Sequence, residues 1–170
     1  MTKVFIGGSR RVTRLAPEVR NRLDRIMERN LFVLIGDANG ADRAVQLYLH
    51  ARGYDHVEVF CAGEQCRNNI GNWKVTTVLT PHTRRDFEFY EAKDRRMTEE
   101  SSVGLMLWDG KSRGTLTNVL RLLDSGKKTV LWVGPEKKFE TLRNLEDWQK
   151  LSVRNSKSFE NRRMRELTRG

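Results

Sequence analysis

Three short glycine-bearing loops carry most of the side chains in this chain that can meet a ligand. Gly7-Gly8-Ser9-Arg10 offers a closely approachable backbone, a hydroxyl that can bond an oxygen, and a guanidinium that pairs with phosphate or carboxylate. Gly36-Asp37-Ala38-Asn39-Gly40-Ala41-Asp42 supplies acids able to hold a ribose hydroxyl or a base edge. Asp109-Gly110-Lys111-Ser112-Arg113-Gly114-Thr115 joins an acid for a sugar hydroxyl to N–H and hydroxyl donors for a phosphate. Each loop also has a plain structural explanation. A glycine pair makes a tight turn, Asp37 or Asn39 can cap a helix, Asp42 suits that helix's dipole, and Ser112 or Thr115 can cap another. The three together favour a binding site more than any one of them does.

All three loops follow apolar runs too short for helices: Lys3 to Ile6, Phe32 to Ile35 and Val103 to Trp108. Val57 to Cys61, Val75 to Leu79 and Thr129 to Val133 are further strand candidates. Between them lie helical stripes: Val19, Leu23, Ile26 and Met27 behind Pro17; Ala41, Ala44, Val45 and Tyr48; and Leu116, Val119, Leu120 and Leu123. Another helix is expected around 85–100. The alternation predicts a three-layer α/β/α Rossmann-like sandwich with a mostly parallel sheet of at least five strands. Such a fold gathers the loops after its strands at one edge, where ligands bind.

Two polar stretches are harder to read. In the irregular segment 62–83, Arg67, Asn68, Asn69 and Trp73 can cover a planar ligand, with Trp73 stacking on a base, or Trp73 can belong to the core. Lys93-Asp94-Arg95-Arg96 reads as a solvated helix face.

The chain's 170 residues suit one domain, expected over 1–149, followed by a basic tail over 150–170. The net charge is +10, and the tail holds seven Lys/Arg against Glu160 and Glu166, or +5. The tail reads as a solvated helix or disordered arm, with a nucleic-acid or partner contact as the alternative. At 38% hydrophobic and 32% charged, with no apolar run of about 18 residues, the sequence predicts a soluble protein with no membrane span. The N-terminus lacks the apolar core of a secretory signal, so a cytoplasmic location is expected. Cys61 and Cys66 are then expected as reduced thiols. They and the three histidines show no metal-ligand spacing, so no metal is expected.

GGSR after the first strand, GDANGAD after the second, KDRRM, and WDGKSRGT followed by DSGKKTVLW resemble the SLOG superfamily of nucleotide-binding domains. That group includes the Lonely-guy phosphoribohydrolases and the DNA-processing protein A family, with the nucleoside 2-deoxyribosyltransferases as structural relatives. The likeness covers roughly Lys3 to Val133 and is nearest to the small stand-alone members. It implies that the first and fourth core strands lie side by side, with GGSR and DGKSRGT facing each other across a crevice. Glycosidic-bond-cleaving relatives carry a catalytic Glu three residues after the Thr of the Gly-Thr pair. Here that position is Asn118, whose amide cannot ionise to act as nucleophile or base.

The expectation is therefore a protein that binds a nucleotide or nucleotide-derived ligand, as a sensor or regulatory module, without a further cofactor. Gly7, Gly8, Ser9, Arg10, Gly36, Asp37, Asn39, Asp42, Asp109, Ser112, Gly114 and Thr115 are the candidate site residues. Two alternatives stay open: an N-glycosidic hydrolase or deoxyribosyltransferase-like enzyme, and a DNA-binding protein using the basic surface and tail. A homo-oligomer is compatible with all three readings.

Overall fold

The computed structural model describes residues 1–81 and 85–154. Val4 and Ile6 of the first strand enter one apolar cluster and Phe5 the other. Val33, Ile35 and Leu34 repeat the division in the second strand. Both sheet faces are therefore buried, as parallel strands require. The strands are β1 (Lys3–Gly8), β2 (Phe32–Gly36), β3 (Val57–Ala62), β4 (Lys74–Val78), β5 (Val103–Trp108), β6 (Thr129–Val133) and β7 (Lys138–Leu142). They form one sheet in the order β4-β3-β2-β1-β5-β6-β7, parallel except for β7 at the edge.

The first cluster packs α1 (Pro17–Glu28) and α2 (Ala41–Ala51) on one face, through Val19, Leu23, Ile26, Val45 and Leu49. The second packs α3 (Phe87–Glu100) and α4 (Arg113–Asp124) on the other, through Met97, Val119 and Leu122. The fold is thus the expected α/β sandwich, with seven strands. The chain runs outward from β1 to β4 and returns to lay β5 beside β1, so strand order reverses between β1 and β5. Gly8 pairs with Leu107 there, and the Ser9 N–H reaches the Leu107 carbonyl at 3.0 Å.

Two expectations change and one open alternative is decided. Cys61 and Cys66 are not separate thiols; they are joined in a disulfide that closes a short loop at the end of β3. Trp73 is buried in the first cluster and its indole donates to the Tyr54 carbonyl at 2.9 Å, which removes it as a stacking surface. The core also passes the expected boundary at residue 149. A helical segment covers 145–154, and its Leu151 is buried in the second cluster. The rest of the basic tail, 155–170, and His82 lie outside the described residues.

Candidate functional site

A crevice of about 670 Å³ opens at the β1/β5 boundary, on the C-terminal edge of the sheet. Its walls bring together Gly7, Gly8, Ser9, Arg10, Asp42, Asp109, Ser112, Gly114 and Thr115, nine of the residues read from the sequence. Gly36, Asp37 and Asn39 are not among its lining residues.

The loop after β5 folds around its first residue. Asp109 Oδ1 accepts the N–H groups of Lys111 and Ser112 at 2.9 and 2.8 Å. Burial works to raise the Asp109 pKa, but these amides and the Ser9 hydroxyl outweigh it and hold the carboxyl below its ordinary range. Ser112 then caps α4. Its Oγ accepts from the Thr115 N–H at 3.3 Å and the Thr115 hydroxyl at 3.0 Å. A serine oxygen that accepts twice still has its own hydrogen to donate, and Ser112 is half-buried at the crevice wall. The Gly114 N–H lies in the first helical turn, where no intrahelical partner exists. Among the described residues a Cβ at Gly114 would meet only the Phe87 ring, at 3.9 Å, so the space beside this turn is open. Hydroxyl, amide and the positive end of α4 therefore face the same volume.

Across the crevice the Gly7–Arg10 loop divides its roles. Ser9 is buried, its Oγ accepts the Arg11 N–H at 3.1 Å, and its carbonyl accepts from Val12 and Ala41. Ser9 thus fastens the loop to α2 and Asp109. Arg10 is exposed, lies 5.5 Å from the Tyr90 ring, and pairs with no carboxylate among the described residues. Gly40 holds it in place. With φ at +87° and Arg10 backbone atoms 2.3–2.4 Å from where a Cβ would sit, only glycine fits.

The loop after β2 is bound up internally. Asp37 is buried and accepts from the Arg67 N–H and guanidinium, each at 2.8 Å, with Lys93 Nζ 3.9 Å away. Asn68 bonds the Asp37 carbonyl and Asn39 Oδ1. Buried Gln46 ties the Gly36 carbonyl to Asn68 and Ile70. The irregular segment is thereby anchored to the end of β2. Neither Asp37 nor Asn39 caps α2; the cap position is Gly40, and Asp42 turns back to accept the Ala38 N–H at 3.1 Å. Asp37, Cys61 and Cys66 have ligand-type atoms within 4.8 Å of one another. The disulfide uses both sulfurs and two cations flank Asp37, so that group has no capacity to hold a metal ion.

A charged relay that the loop motifs did not indicate forms the crevice floor. Lys93 is buried, and its Nζ lies 3.2 Å from Asp94 Oδ1. Asp94 Oδ2 accepts from the Asn118 amide at 3.1 Å, and Asn118 Oδ1 accepts from Arg121 at 3.1 Å. Arg121 also pairs with Glu91. Burial opposes the charge on Lys93, but Asp94, Asp42 and Asp37 outweigh it and raise its pKa. Burial pushes the Asp42 carboxyl up to about 6, against the pull of Lys93. Gly36 admits this cluster, since a Cβ there would lie 2.6 Å from both Asp42 Oδ2 and Lys93 Nζ. Of the run read as a solvated face, Lys93 is therefore interior, while Arg95 and Arg96 form exposed helical pairs with Glu91 and Glu100.

Arg67, one of the residues expected to cover a planar ligand, lines the crevice, and so do Arg85, Phe87 and Tyr90, which no motif singles out. The signal was there at helical spacing: Phe87, Tyr90, Glu91 and Asp94 lie on one side of α3. No protein-family model, curated protein or solved structure matches this chain.

Proposed function

We propose that the crevice binds a nucleotide or nucleotide-derived ligand and that the protein acts as a sensor or regulatory module. The observation that carries this reading is the first turn of α4. Its Ser112 hydroxyl, Gly114 amide and helix dipole converge on open space, with Arg10, which pairs with no carboxylate among the described residues, on another wall. Backbone amides, a hydroxyl and a guanidinium around a helix N-terminus suit a phosphate. Asp109, held ionised by its amides, can accept from a sugar hydroxyl beside it.

Asn118 supports binding over turnover. Its amide is engaged on both sides, by Asp94 and Arg121, and has no group to ionise. The specific observation for an enzyme is Asp94, a carboxylate in the crevice wall beside Asn118. A thermal-shift screen against nucleoside monophosphates, nucleosides and short DNA, followed by chromatography for released base, separates the readings. Stabilisation by a monophosphate with no released base is expected. Steady release of free base would support the N-glycosidic alternative, and a response to DNA alone would support the nucleic-acid one.

A further inference from the structure

We infer that Phe87 is the platform on which the planar heterocycle of the ligand stacks, a reading that builds on the phosphate site at α4. Phe87 is 58% exposed, and it is the one aromatic among the large exposed apolar side chains of the described residues. It is also the one of that group that lines the crevice. Single exposed apolar residues are ordinary on a protein surface. This one stands where its exposure has a use.

The first turn of α3 fixes its position. Asp86 caps the helix by accepting the Phe89 N–H at 3.1 Å, which sets Phe87 in the first helical position. The two aromatics that follow are packed: Phe89 lies edge-on to Tyr90 at 5.1 Å and closes over Gly63, and Tyr90 sits beneath Arg67 at 4.1 Å. Among the described residues no ring or cation stacks on Phe87. Its ring edge instead faces Gly114, 3.9 Å from the Cβ position there. One volume is thus bounded by an uncovered aromatic ring and by a set of anion donors. The ligand complementary to both carries a π-face and a phosphate, and stacking of this kind tolerates any base.

The test is calorimetric titration of the full chain and its Phe87→Ala and Phe87→Trp variants. The probes are the four common nucleoside monophosphates, their nucleosides and ribose 5-phosphate. Phe87→Ala is expected to weaken the best monophosphate about tenfold or more and leave ribose 5-phosphate within about twofold. Phe87→Trp is expected to retain monophosphate affinity. The inference is overturned if Phe87→Ala leaves the monophosphate unchanged, if it weakens ribose 5-phosphate equally, or if ribose 5-phosphate binds the wild type as tightly as any monophosphate. If nucleosides bind in a Phe87-dependent way and no phosphate adds affinity, the platform is upheld and the phosphate reading fails instead.

Discussion

The loop leaving β2 and the loop leaving β5 share an aspartate, two glycines and the start of a helix, yet they use these groups in opposite ways. After β2, Asp37 is buried and held by Arg67, Asn39 bonds Asn68, and Asp42 bonds Ala38. After β5, Asp109 organises its own turn, and the turn leaves the Ser112 hydroxyl and Gly114 amide facing open space. The difference lies in what packs alongside. The segment 62–73 closes over the first loop and meets its polar groups, while the crevice borders the second. Polar glycine loops after strands can therefore close on a neighbour or stay open. Only the fold decides which.

The sharpest way to break this contrast is Asp37→Ala. Removing one member of a buried ion pair strands the other, at a cost of about 3–5 kcal/mol. Arg67 and Lys93 would lose that partner, so chemical denaturation should show a loss of this order. A loss below about 1 kcal/mol would show that the β2 loop is not the structural one.

The charged floor sharpens it through pH. Asp42 has a folded pKa of about 6 against an ordinary 3.8. A carboxyl raised on folding contributes stability that is full below about pH 4 and lost as pH rises through about 6. A shift of about two units sets an upper bound near 3 kcal/mol. Asp42→Asn removes the ionisation, so its stability relative to wild type should climb between pH 4 and 7 in urea denaturation series. A flat difference across that range would contradict the burial argument.

Arg10→Ala probes the wall opposite α4. Loss of one charge-assisted hydrogen bond should weaken nucleotide binding by about 1.5–3 kcal/mol. Folding should be unaffected, because the exposed guanidinium pairs with no described carboxylate. Equal losses of binding and thermal stability would make Arg10 a structural residue like Arg67.

Much of this architecture is legible in the sequence because its signals are local. Val103–Trp108 and Thr129–Val133 are apolar runs bounded by turn residues, and both are strands within those limits. Pro17 and the stripe behind it mark α1. β7 escaped because Lys138–Leu142 is an antiparallel edge strand whose Phe139 and Leu142 alone turn inward, among polar residues. The candidate site was legible to the level of its loops and no further. Asp37 and Asp109 look alike in sequence, and the partner that separates them, Arg67, lies thirty residues away. The interior place of Lys93 likewise depends on a partner far off in the chain, Asp37, whereas the Cys61–Cys66 pair is local and was missed because the expected location favours free thiols.

Whether the ligand sits against the first turn of α4 is decided by calorimetric titration of nucleoside monophosphates into wild type and Gly114→Val. Among the described residues a side chain there meets nothing but the edge of Phe87, so the variant should keep the wild-type melting temperature. It would also fill the space that the phosphate needs. The predicted result is a loss of at least about a hundredfold in affinity, about 2.7 kcal/mol, with no loss of fold. Undiminished affinity in a well-folded Gly114→Val would place the ligand elsewhere.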